Sequence, residues 1–179
     1  MLPLEGINTN PAGHDPDTSI KEKEKKTMSN ERDRENFETC KRIAEELEQA
    51  ANGELYKDPE TGEALEAEED ENGRTYVEAE NGTRYYEDPE DEEEDLKDLE
   101  QFTVYDYLDE VYDVEYTLFG DLTYKAVRLM IACGGPNIYI NTKSGDVELF
   151  WWTETARYPL SREVINEIDA IYEEYYQCR

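Results

Sequence analysis

The chain has 179 residues, 37% hydrophobic and 36% charged, so an apolar core is drawn from only part of it. Eighteen Lys and Arg stand against 47 Asp and Glu, a formal charge of −29 that repels nucleic acid and anionic membranes, save through a small basic face hidden in the acidic whole, and favours basic protein surfaces. Cys40, Cys133 and Cys178 are too few and too scattered for a secreted disulfide framework, and no run reaches the roughly 18 apolar residues of a membrane span. With no signal-peptide pattern at the start, the expectation is a soluble cytoplasmic protein.

Residues 1–27 combine Pro3, Pro11 and Pro16 with Gly, Asn and an aperiodic Lys/Glu run, and predict a disordered tail. Met28 directly precedes the first organised segment and is a candidate for the true start. His14, the only histidine, falls in this tail, which argues against histidine-based catalysis or metal binding. Residues 28–53 predict an amphipathic helix: Phe37, Cys40, Ala44, Leu47 and Ala51 follow 3–4 spacing, and Ile43 widens the stripe. Ser29 or Asn30 caps its start and Asn52-Gly53 stops it.

Residues 54–86 predict a small β unit with turns at Asp58–Gly62, Asn72-Gly73 and Asn81-Gly82. Asn-Gly favours a two-residue type I′ hairpin turn. Arg74–Ala79 and Thr83–Glu87 then pair, with Tyr76, Tyr85 and Tyr86 as the apolar substance. Asp58-Pro-Glu-Thr61-Gly resembles the Cys-Pro-x-Cys-Gly knuckle of a zinc ribbon with both cysteines replaced, and Asn81-Gly82-Thr83 falls where a second knuckle is expected. The resemblance implies a ribbon-like unit without its metal, because a ribbon needs four Cys or His ligands and this stretch has neither. Ordinary turns explain the same residues.

In residues 87–100 the acidic character peaks: from Glu87 to Asp95 every residue except Pro89 is a carboxylate. Residues 54–100 hold 4 basic and 21 acidic side chains, so −17 of the total charge lies there. Such a block is either a solvated linker or a surface that imitates nucleic acid. Alternate residues of a strand lie about 6.6–6.8 Å apart on one face, close to the phosphate repeat of DNA. Glu66, Glu68, Asp70 and Glu78, Glu80 have this alternation, and Glu90, Asp91, Glu92, Glu93, Glu94 and Asp95 add density. The run lacks the loop spacing of a calcium hand, and neither a metal nor a cofactor is predicted.

Residues 101–179 read as the globular domain. Thr103 caps a helix over Val104–Tyr112; strands follow at Val114–Leu118, Tyr124–Cys133, Ile138–Asn141 and Val147–Trp152; Ser161 caps a closing helix over Arg162–Tyr176. Connections this short require antiparallel pairing. The predicted class is α+β: a four-stranded antiparallel sheet with a C-terminal helix packed on one face, preceded by an N-terminal helix and a small β-hairpin unit. Gly134-Gly135-Pro136-Asn137 is a tight turn or a nest of backbone N–H groups. Trp151 and Trp152 put one indole on each face of the last strand. One enters the core; the other is covered by a helix or exposed as an interface anchor, and Trp152 joins the acidic residues as a candidate partner contact. Cys133, ending an apolar strand, reads as a small buried hydrophobe, and no carboxylate pair stands out as acid and base, so no enzyme is predicted.

Tyr124–Tyr176 resembles small acidic proteins of phages and mobile elements of Gram-positive gut bacteria, through Ala132-Cys-Gly-Gly-Pro-Asn-Ile-Tyr139, Val147-Glu-Leu-Phe-Trp-Trp152 and Ala156-Arg-Tyr-Pro-Leu160. That group includes anti-CRISPR and other anti-defence proteins. The resemblance implies a non-enzymatic inhibitor that blocks a nucleic-acid-binding defence nuclease of the Cas9 type, and it brings no catalytic residues with it. The alternative is a protein-binding adaptor or regulatory module derived from a zinc ribbon, with no defence role.

Overall fold

The computed structural model describes residues 16–90 and 93–179. Helix α1 (Pro16–Asn52) runs for 37 residues and takes in residues 16–27 of the stretch expected to be a disordered tail; residues 1–15 of that stretch lie outside the described residues. The Lys- and Glu-rich stretch there is made of good helix formers, and the helix runs on through positions 29 and 30, where its start was expected. Cys40, Ile43, Ala44, Leu47 and Ala50 make its buried stripe. The helix stops at Gly53, in the left-handed region at φ 71°. Gly53 N–H donates to Ala50 C=O (3.2 Å) and Glu54 N–H to Gln49 C=O (2.9 Å), the paired bonds of a Schellman stop.

Two small sheets follow. Strands β1 (Leu55–Lys57) and β2 (Ala64–Glu66) form one; β3 (Glu68–Glu69), β4 (Thr75–Glu78), β5 (Arg84–Tyr86) and β6 (Glu94–Asp95) form the other, in that order. The β4–β5 hairpin turns at Ala79–Thr83. Gly82 N–H donates to Ala79 C=O at 2.8 Å, and Gly82 alone in that turn has positive φ. The loop is therefore a type I turn closed by a left-handed glycine, not the type I′ turn that Asn-Gly suggested. Tyr76, Val77, Ala79, Tyr86 and Leu96 are buried in a small core of this unit. The acidic run is partly built into it: β6 pairs parallel with β5, and a 3-10 turn, Leu96–Asp98, buries Leu96.

After helix α2 (Val104–Tyr107), capped by Thr103, come β7 (Asp113–Leu118), β8 (Tyr124–Ala132), β9 (Asn137–Asn141), β10 (Asp146–Trp151) and β11 (Glu154–Pro159), then helix α3 (Arg162–Gln177). The strands form one antiparallel sheet ordered β11-β10-β9-β8-β7. The sheet thus has five strands where four were expected. The fifth has only Ala156 and Tyr158 as inward apolar residues, too few for a sequence period, and it is held by pairing to β10 and by α1. Its neighbour supplies Val147 and Leu149, which with Val127, Leu129, Ile138 and Ile140 form the sheet's covered face.

Leu47 from α1 and Val164, Ile168 and Tyr172 from α3 belong to that same core, so both helices lie on one face. Each such fully buried aliphatic contributes about 1.5–3 kcal/mol by leaving water. Thr142 stitches α3 to the sheet, accepting Val127 N–H (2.9 Å) and donating to Asp169 (2.6 Å). No helix among the described residues is long and apolar enough to cross a membrane.

Candidate protein-interaction surface

The predicted carboxylates divide into those that hold the small β unit together and those that face water. Glu66, exposed, ends β2, while Glu68 begins β3 in the other sheet and accepts the Tyr76 hydroxyl at 2.8 Å. Asp70 closes a turn, its Oδ1 accepting Asn72 and Arg74 N–H at 2.8 and 3.0 Å and its Oδ2 accepting Arg74 Nε at 3.1 Å. Glu66, Glu68 and Asp70 are therefore not one row of a single strand, as alternation implied: the chain changes sheet between the first two, and the third is consumed by a turn. Glu78 pairs with Arg84 (2.6 Å), and Glu80 points outward from the hairpin turn. Glu93 accepts Arg74 through both carboxylate oxygens, with Glu90 3.9 Å from the same guanidinium. Glu94 is exposed on β6, and Asp95 caps the 3-10 turn. Asp91 and Glu92, like His14, lie outside the described residues.

All four cations of residues 54–100 are committed. Lys57 pairs with Asp106 (2.9 Å) and Glu100 (3.5 Å), Arg74 with Asp70 and Glu93, Arg84 with Glu78, and Lys97 with Asp95 (3.5 Å). Arg74 also stacks on Tyr86, and Arg84 on Tyr76. No cation of the segment is left to neutralise Glu66, Glu80 and Glu94, which stand exposed with Glu60, Glu63 and Glu87. The hydrogen bond from Lys57 to Asp106 raises the pKa of that ammonium, which keeps it charged.

Asp58 joins the two turns that carry the zinc-ribbon resemblance. Its Oδ1 accepts Glu60 and Thr61 N–H at 2.8 and 2.9 Å, and its Oδ2 accepts Glu80 N–H at 2.8 Å. Asn81 reaches back to Glu60 at 3.0 Å. The Glu80 N–H foremost, with that of Thr61, holds the Asp58 carboxyl below the usual carboxylate range. Among the described residues no group of three His, Cys, Asp or Glu is placed to hold a metal ion. A carboxylate with three N–H donors fastens one turn to the other.

Trp152 lies in the β10–β11 turn with φ 54° and is 93% exposed, so the helix cover weighed for the second indole is not found over it. Trp151 packs against the core, and the loop between β8 and β9 presses on its ring: a Cβ on Gly135 would fall 2.6 Å from Trp151 Cζ3. Only glycine fits at position 135, whereas a Cβ on Gly134 would meet nothing. Beside Trp152 runs an open groove of about 500 Å³, lined by Gly134, Gly135, Asn137, Phe150 and Trp151. Cys133, expected to be buried, is exposed at the end of β8, whereas Cys40 is buried and its thiol is pushed up to about 11.

Sequence reading missed the cluster on the uncovered face of the sheet. Arg128 on β8 lies 3.6 Å over the Tyr139 ring and bonds Glu148 at 3.1 Å; Arg157 meets the same carboxylate at 3.3 Å. Glu148 is only 4% exposed, and Asn141 (3.3 Å) and Ser144 (3.5 Å) also donate to it. The one usable signal was Arg128 itself, the only charge between Val127 and Cys133. No protein-family model, curated protein or solved structure matches the chain.

Proposed function

We propose that this protein is a non-enzymatic inhibitor that occupies the basic nucleic-acid-binding surface of a defence nuclease in the bacterial cytoplasm, an anti-CRISPR protein against a Cas9-type enzyme. The observation that carries the reading is the commitment of every Lys and Arg in residues 54–100 to local ion pairs, which leaves Glu66, Glu80, Glu94 and their neighbours uncompensated on the surface. A lysine- and arginine-lined groove gains by exchanging its own counterions for such a surface. Trp152 supplies an exposed indole of the kind that anchors interfaces. The test is binding to a purified Cas9-type nuclease across a salt series. Affinity should fall steeply as salt rises, and E66Q/E80Q/E94Q should slow association more than dissociation. Undetectable or salt-insensitive binding overturns the proposal.

A second reading, an adaptor derived from a zinc ribbon, is favoured by one specific observation: the two knuckle-like turns lie against each other with the Asp58 carboxylate between them. The chain immobilised as bait in a bacterial lysate separates the two. Nucleases on the bait support inhibition; transcription or replication proteins support the adaptor.

A further inference from the structure

Far from the acidic unit in sequence, helix α2, strand β7 and the last turns of α3 enclose a concavity of about 320 Å³. Four tyrosines, Tyr105, Tyr116, Tyr172 and Tyr175, line it together with aliphatic side chains, and Asp109 stands at the side. The Tyr175 hydroxyl donates to that of Tyr105 at 3.1 Å, and the Tyr172 and Tyr175 rings meet edge to face at 5.6 Å. Tyr105 and Tyr175 remain about half exposed, which leaves the concavity accessible. Tyrosine faces carry the negative part of the ring quadrupole and attract cations.

One cation is already seated. The Arg179 guanidinium carbon lies 4.5 Å from the centroid of Tyr116. Among the described residues no carboxylate stands within ion-pair distance of it; Arg179 is exposed and its guanidinium meets the Tyr116 face. Asp109 adds a negative charge to the lining; the bond with Tyr105 foremost, then burial, raises the pKa of Tyr175, with smaller contributions from the charges of Asp109 and Glu174.

We propose that this tyrosine pocket is a cation-accepting cage that receives an arginine side chain from the partner's basic surface, with Arg179 as the chain's own occupant that the incoming arginine displaces. The inference rests on the reading of the chain as a binder of basic surfaces, and it names a second point of attachment besides the acidic unit.

The test uses the full chain, ring-labelled at tyrosine for NMR, and a short Gly/Arg peptide beside its counterpart with neutral citrulline at each arginine. The arginine peptide should shift the rings of Tyr105, Tyr116 and Tyr175, and the citrulline peptide should not. R179A should tighten binding by vacating the ring. Y175L should weaken it by about 3-fold to 30-fold, the range of a cation–π contact, while Y175F retains it. Tyr116 packs against the core, so the exposed Tyr175 carries the mutational test. Equal binding of the two peptides, or equal loss in Y175L and Y175F, overturns the cage. A peptide that perturbs only residues 54–100 overturns the cage and leaves the acidic-surface reading standing. Cage binding that persists when E66Q/E80Q/E94Q leaves nuclease binding unchanged supports the cage and removes that reading.

Discussion

The Asp58 carboxylate accepts the backbone N–H of Glu80, 22 residues further along, at 2.8 Å. That bond ties the first turn of the small β unit to its central hairpin, and Asp58 is buried at 2% exposure. D58N keeps the shape and can still accept from Glu60 and Thr61, but it turns an amide donor toward the Glu80 N–H. The expected result is a Tm lower by several degrees, with faster hydrogen exchange at the Glu80 amide and little change in residues 124–172. Unchanged exchange at Glu80 would show that the bond does not matter.

Acid should act on the same unit. Asp58, Asp70 and Glu93 all lie below the ordinary carboxylate range, because the N–H groups of Glu80, Arg74 and Glu90 respectively donate to them. A carboxyl whose folded pKa is depressed stabilises the fold above its unfolded value of about 4, and that contribution is lost as pH falls through the folded value. Protonation also relieves repulsion among the surface carboxylates, which works in the opposite direction. The two effects separate in D58N, whose Asp58 contribution is absent at every pH. Between about pH 6 and pH 2.5 the wild-type unit should lose more exchange protection than the variant does; parallel curves would contradict this.

Trp152 carries a large side chain in the left-handed region, φ 54°, with almost no burial to offset it. W152G should raise stability by about 0.5–1 kcal/mol by removing that strain, whereas W152A should not. Both variants should lower affinity for the partner by at least roughly 10-fold if the indole is an anchor. Thermal melts and binding isotherms on the pair check both halves.

Leu47 has no exposed surface and sits among the residues that join α1 to the sheet. L47A should cost about 2–5 kcal/mol, against about 0.5 kcal/mol or less for E45A on the exposed side of the same helix. Denaturant unfolding measures both.

On the uncovered face, E148Q removes the charge that Arg128 and Arg157 share, while keeping most of the volume. Its expected cost is about 1.5–3 kcal/mol, the range for hydrogen bonds to charged groups. Loss of the Arg128 stack on Tyr139, seen as a shift of the Tyr139 ring resonance, should accompany it.

Local signals were legible in the sequence because their partners lie within one or two turns. The 3–4 spacing from Cys40 to Leu47, the Schellman stop at Asn52-Gly53, and the caps at Thr103 and Ser161 are all nearest-neighbour physics. The segregation of charge into residues 54–100 was equally plain, being a matter of composition. What the carboxylates do individually was not. Asp58 meets Glu80 and Arg74 meets Glu93 across about twenty residues, and β6 joins β5 in parallel, none of which leaves a local period. The fifth strand, the bare indole of Trp152 and the tyrosine pocket holding Arg179 were decided by tertiary packing alone. Each depends on which elements cover which face, and that is set by burial over the whole chain, not by any one segment of it.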